Sequence, residues 1–269
     1  MEYGRQVDLS SCADEPIHIP GSIQPHGALL FFGTDGILAG WSANAAAMLG
    51  IAPRLGVPYA ALGLPQPAID AIADGIEFHD DDDAAPSVAA LSIGGRDFDC
   101  VVHGAYGRIV AEFETRDVPA DEVSHFAIRA HGSIDRLRRQ KTIDGLLAAA
   151  VQQVREFTGF DRVMAYRFRP DDSGDVVAES RREDLVPYLG QRYPAGDIPP
   201  QARRLYTLNI LRMIVDIGYD AVPLLGEPGA APLDMSFALL RSVSPVHIEY
   251  LKNMGVCASM SVSIVINGR

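Results

Sequence analysis

The chain has 269 residues, a length at which one hydrophobic core usually gives way to two domains. A hydrophobic content of 48% and a charged content of 22% belong to a soluble globular chain and exclude a disordered one. The 35 acidic side chains outnumber the 23 basic ones, and a formal net charge of -12 repels a phosphate backbone, so nucleic acid is a poor partner. No stretch approaches the roughly 20 apolar residues of a membrane helix. The first 15 residues carry acids where a secretory signal has its apolar core, which points to a cytoplasmic protein without a membrane partner.

In chain order, the apolar run Gly27 to Phe32, the turn Gly33-Thr34-Asp35-Gly36 and the run Ile37 to Trp41 predict a hairpin. A short helix follows over Asn44 to Leu49, stopped by Gly50. A second is expected over Pro67 to Asp74, with proline at its first position and Gly75 just past its end. The acidic run Asp80 to Asp83 reads as a solvated loop. Strands are predicted again at Ala89 to Ile93, Asp97 to Val102 and Arg108 to Glu114.

From Ser124 to Phe157 apolar residues recur every three or four positions, the pattern of an amphipathic helix and here of a connector between domains ended by Gly159. A second sheet opens with Arg162 to Phe168, turns at Asp171 to Gly174 and returns through Asp175 to Glu179. Next come a proline-marked turn at Pro194 to Pro200, a helix from about Pro199 to Tyr206 and a strand over Ile210 to Asp216. The region from Gly218 to Asp234 reads as a loop. A helix over Pro245 to Met254 and a strand over Ala258 to Ile266 complete the pattern.

The three cysteines have no CxxC or Cys/His spacing, which argues against a disulfide framework and against zinc. Cys100 and Cys257 read as buried strand residues, whereas Cys12 sits in a polar N-terminal arm ahead of any core element. No P-loop, nucleophile elbow or HExxH is present. Polar residues nevertheless collect in the second half: Asp197 between prolines, Arg212, Arg241, His247, and Ser259 and Ser261, which share one face of a strand. Two arginines beside two hydroxyls suit a carboxylate, which a guanidinium grips in a bidentate fork. Each member also has a plainer reading: the arginines as surface or ion-pair residues, His247 as a hydrogen-bonded structural histidine, Asp197 as a helix cap, and Tyr166, Tyr193, Tyr206 and Tyr250 as core aromatics.

At these residues the sequence resembles a known family. The segments Cys-Ala-Asp-Glu-Pro-Ile-His-Ile-Pro-Gly-Ser-Ile-Gln-Pro-His-Gly from Cys12, Tyr-Pro-Ala-Gly-Asp-Ile-Pro over 193–199, and Leu-Arg-Ser-Val-Ser-Pro-Val-His over 240–247 are similar to those of the bacteriophytochromes. The resemblance runs nearly end to end. It implies an α+β fold: an arm at 1–15, a PAS domain over 16–120, and a helical connector with a C-terminally truncated GAF domain over 121–269. Each domain has an antiparallel sheet with helices, and a figure-of-eight knot joins the arm to the loop at 218–234. The cofactor implied is biliverdin, attached by a thioether from Cys12 to its A-ring vinyl group. Relatives that use other bilins place their cysteine just before the GAF histidine, and here that residue is Val246.

The resemblance further implies that Asp197, Ile198 and Pro199 lie by the pyrrole nitrogens with His247. Arg212, Arg241, Ser259 and Ser261 would hold the two propionates, Tyr166, Tyr193 and Tyr250 would surround ring D, and Tyr206 and Ser244 would complete the binding set. Gly196 stands where the family motif has serine, which loosens the backbone there. Family GAF domains continue with a further strand and a His-His pair, whereas this sequence reads Asn267-Gly268-Arg269, so the GAF domain is expected to be incomplete. The implied function is red/far-red light sensing by isomerisation of the bilin, without enzymatic activity. The partners would be a second copy through the connector and GAF helices and, in a full-length protein, a histidine-kinase output and its response regulator. An engineered near-infrared fluorescent protein is the alternative, and a PAS–GAF module without bilin is a third reading.

Overall fold

The computed structural model describes residues 15–79, 85–117 and 120–265, with side chains described from residue 129 onward in the last range. Cys12 and the run Asp80 to Asp83 lie outside the described residues. The chain packs as two compact units: one runs through Asp117 and resumes at Pro200, and the other is Val118–Pro199.

The first unit is built on a seven-stranded antiparallel sheet in the order β1-β11-β3-β2-β6-β5-β4. Its strands are β1 (Ser22–Ile23), β2 (Gly27–Gly33), β3 (Leu38–Ser42), β4 (Ser87–Ile93), β5 (Arg96–Ala105), β6 (Arg108–Thr115) and β11 (Val222–Gly226). Helices α1 (Ala45–Leu49) and α2 (Gln66–Glu77) cover one face, where Leu30, Phe32, Phe98, Ile109 and Phe113 pack with Leu49 and Ile72. Leu29 and Val110 point the other way and are buried by Leu233, Met235, Ala238 and Leu240. Burial on both faces explains why β2 and β6 read as continuous apolar runs rather than alternating ones.

Two expectations about the elements of this sheet and its helices need correction. The second helix does not stop before Gly75 but runs through it, and a Cβ there would lie 2.6 Å from Cγ1 of Val102. Here glycine permits the helix to approach the sheet closely, and packing overrides its low helix propensity. The expected loop from Gly218 to Asp234 contains strand β11, with Leu225 opposite Trp41 and Val222 opposite Ile23.

The same unit holds α5 (Pro200–Leu208), β10 (Leu211–Ile214), α6 (Pro245–Asn253) and β12 (Ser259–Val262). Strands β10 and β12 pair antiparallel, with Arg212 opposite Ser261 and Ile214 opposite Ser259. Cys100 is buried as expected. Cys257 precedes β12 and is exposed rather than buried in a strand, because the last strand begins only at Ser259.

In the second unit the single helix expected over 124–157 is two helices, α3 (Ala120–Arg138) and α4 (Ile143–Thr158). The break follows from Thr142, whose extended backbone and Oγ1, accepting from Gly145 N at 3.1 Å, cap the second helix. Strands β7 (Arg162–Phe168), β8 (Gly174–Arg181) and β9 (Arg192–Tyr193) form an antiparallel sheet against α4. No described helix is long and apolar enough to cross a membrane.

One buried acid ties distant segments of the first unit. Glu112 on β6 is 2% exposed and accepts from Leu239 N at 3.0 Å and Leu240 N at 2.7 Å. Desolvation pushes its pKa up to about 7, and it pushes the neighbouring His103 down to about 4. Their 3.8 Å approach is therefore a contact between groups that both favour the neutral form. A raised carboxyl pKa contributes stability that is present below about 4.5 and lost as pH rises through about 7. The lowered His103 acts oppositely, losing stability as pH falls from about 6.5 through about 4. In urea titrations Glu112→Gln should therefore gain about 3 kcal/mol relative to the parent across the Glu112 window. Parallel stability curves for the two proteins would contradict a perturbed Glu112.

Candidate ligand-binding site

In the first unit the sequence brings two arginines to neighbouring backbones. Arg212 lies on β10, where its Nη2 donates to Ser261 Oγ at 3.2 Å and its guanidinium lies 3.6 Å from the centroid of the Tyr206 ring on α5. Arg241 forms a bridge with Ile23 and donates from Nη1 to Ile17 O. Burial lowers both pKa values, Arg241 to about 10, and the charge of Arg212 adds to the shift of Arg241. Among the described residues neither guanidinium has a carboxylate at ion-pair distance, and Nε of Arg241 has no hydrogen-bond partner. Two part-buried like charges with an unused donor are electrostatically incomplete, and an anion with two carboxylates would complete them. The donor set thus fits the propionates of a bilin.

His247 lies on α6, stacked against Tyr250 with ring centroids 6.2 Å apart. Its side chain is exposed, yet enough protein surrounds the ring for desolvation to lower its pKa, with the charge of Arg212 adding to the shift. A neutral imidazole is the consequence, with one nitrogen free to accept a hydrogen bond. Ser244 is occupied locally: its Oγ caps α6 by accepting from Val246 N at 3.2 Å and donates to Glu15 Oε2 at 2.6 Å. Ser259 and Ser261 alternate on β12 with Met260 between them.

Asp197, Ile198, Pro199, Tyr166 and Tyr193 belong to the second unit. Asp197 closes a single 3-10 turn, Ala195–Asp197, and is exposed. It does not cap α5, which begins only at Pro200, and its carboxylate accepts no hydrogen bond among the described residues. Tyr166 packs edge-on to Phe168 at 5.3 Å and tilted to Tyr193 at 6.1 Å. Gly174 makes room for that ring, since a Cβ there would fall 2.1 Å from it. Desolvation raises the Tyr193 pKa, with Tyr188 adding to the shift, so its hydroxyl stays protonated and bonds Gln191 Oε1 at 2.9 Å. Sequence reasoning missed Gln24 and Glu112. Glu112 had a signal, an acid inside a mostly apolar strand, but an acid there reads equally as a solvated face.

Residues 12–116 match the PAS fold family and residues 142–269 the GAF domain family, so the chain is a PAS–GAF tandem. The chain is 43% identical over 266 residues to the Bacteriophytochrome of Pseudomonas aeruginosa, covering 98% of this chain and 36% of the relative. It is 40% identical to the Bacteriophytochrome of Xanthomonas campestris, covering 97% and 42%. The chromophore-binding domain of Stigmatella aurantiaca bacteriophytochrome, solved as a variant in its Pr state, superposes with a TM-score of 0.85 at 41% identity, over 96% of this chain and 87% of that one. The wild-type chromophore-binding domain of Stigmatella aurantiaca phytochrome P1 gives 0.82 at 42% identity, over 96% and 87%. The chain belongs to the bacteriophytochromes, and it spans less than half of the length of the curated relatives it matches.

Proposed function

We propose that this chain is a non-enzymatic, cytoplasmic photosensory module that binds biliverdin through a Cys12 thioether and senses red and far-red light. The observation that carries the reading is the pair of part-buried arginines, Arg212 and Arg241, lacking any described carboxylate partner. Biliverdin supplies the visible absorption and the bond that isomerises. The chain's own residues hold its carboxylates, exclude water from its rings and fix the protons on its nitrogens. Arg212, Arg241, Ser259 and Ser261 would take the propionates, and His247 with the 197–199 segment would face the pyrrole nitrogens. Tyr166, Tyr193, Tyr206 and Tyr250 would line the rings, while Ser244 would act by holding the start of α6 in place.

The organisation proposed is an arm at 1–15, a PAS domain over 16–120 and a connector with GAF domain over 121–269. We place the knot where the arm meets the loop at 218–234. In support, the residues that follow the arm run alongside this loop and its end: Ser22 pairs through its main chain with Pro223, and Met235 N donates to His18 O at 2.7 Å. Dimerisation through connector and GAF helices, and coupling to a histidine kinase and response regulator in a longer protein, extend the reading to partners.

Adding biliverdin to the protein and recording its absorption tests the proposal. A red band that changes reversibly on illumination is expected; a bright static band points instead to a fluorescent module, and no red band refutes bilin binding. His247 can be tested in the same cuvette. A neutral histidine at the pyrrole nitrogens helps retain their protons, so His247→Ala should move the loss of red absorbance down toward neutral pH. An unchanged pH titration would remove His247 from the pocket.

A further inference from the structure

Gln24 belongs to the Ser-Ile-Gln-Pro-His-Gly motif, between β1 and β2, and is 1% exposed. Its side chain does not reach toward solvent but joins the two backbones that carry the arginines. Nε2 donates to Met213 O at 2.8 Å, next to Arg212, and to Arg241 O at 3.4 Å. Oε1 accepts from Val215 N at 3.3 Å, and its main-chain N–H donates to Leu240 O at 2.8 Å, next to Arg241. Both amide protons and the carbonyl are thus engaged on backbone flanking the two guanidiniums. Glutamine suits this place by its chemistry: two carbonyls need donors and one N–H needs an acceptor, which a single carboxamide supplies. A glutamate would turn an acceptor toward two carbonyls, and an apolar side chain would leave three buried polar groups unsatisfied.

We infer that Gln24 is a positioning residue that sets the spacing of the Arg212 and Arg241 guanidiniums for a ligand with two carboxylates. The inference rests on the proposed role of the arginines in holding propionates. Gln24 itself touches no ligand. It fixes where the two side chains are rooted, and a dicarboxylate of fixed span is sensitive to that distance while a neutral diester is not.

The test compares biliverdin with biliverdin dimethyl ester, titrated by absorbance into the full chain in a Cys12→Ala background that keeps binding reversible. Gln24→Met preserves volume and removes the three side-chain bonds. The expected result is a rise of about tenfold in Kd for the diacid, equivalent to about 1.4 kcal/mol, with the diester Kd nearly unchanged. Equal weakening of both ligands would make Gln24 a purely structural residue and overturn the inference, as would no weakening at all. If Gln24→Met does not fold, Gln24→Asn carries the same amide one methylene shorter and should also reduce the preference for the diacid. A preserved preference overturns the inference. Lack of any diacid preference in the background protein instead refutes the carboxylate role of the arginines, which separates that failure from a failure of Gln24 alone.

Discussion

Replacing Cys12 by alanine should abolish covalent bilin, read as complete loss of the zinc-fluorescent band on a denaturing gel. Cys12 would hold the bilin by addition of its thiol across the A-ring vinyl group, in which the S–C bond would replace the vinyl π bond and the thiol proton would pass to the bilin, so that no oxidant would be required. The nucleophile is a thiolate, so the candidates separate by environment. Cys100 is buried in β5, where desolvation, with Glu112 adding to it, pushes its pKa to about 12. A thiol with that pKa is about one part in 10⁵ thiolate at neutral pH. Cys257 is exposed and is the real competitor. The paired experiment is therefore Cys257→Ala, which should keep the band. A band that survives in Cys12→Ala and vanishes in Cys257→Ala would reverse the assignment.

Much of the fold was legible because its strands are bounded by turn residues and its helices by caps. The hairpin around Gly33-Thr34-Asp35-Gly36 and the helix stop at Gly159 follow from local chemistry, and both stand in the structure. Strand β11 was not legible. Val222-Pro223-Leu224-Leu225-Gly226 carries a proline and a glycine, which demote it as a strand. Pro223 is accommodated because it lies just past the end of the β11–β3 ladder, which begins with Leu224 opposite Ser42. Its missing N–H faces the end of β3, its carbonyl still accepts from Ala43 N at 2.9 Å, and the donor toward β1 is Leu224 N, bonded to Gly21 O at 2.9 Å. The carboxylate logic of Arg212 with Ser261 was open to strand alternation and bond geometry, and the structure brings the two into contact. Gln24 was closed to it, since its partners Met213 and Arg241 lie 189 and 217 residues further along the chain. No periodicity in the sequence reports contacts of that range.

The arginine pair gives the second large effect, and it has opposite signs in the free and loaded protein. A buried guanidinium without a carboxylate destabilises the fold that holds it. For Arg241, lowered to about 10, the penalty is about 3 kcal/mol by linkage, before its bond to Ile17 O is counted against it. Each charge-assisted bond to a propionate is worth about 1.5–3 kcal/mol once the ligand is present. Substituting methionine at both Arg212 and Arg241 keeps the apolar stems and removes both charges. The ligand-free variant should melt no lower than the parent, because removing unpaired buried charge is neutral or stabilising. Its affinity for biliverdin should fall by a factor on the order of 10² to 10⁴, from two lost anchors. Calorimetry of the free protein and absorbance titration of the ligand read the two effects separately. If the double variant unfolds without ligand yet binds normally wherever it remains folded, the arginines hold the protein together and the propionates are held elsewhere.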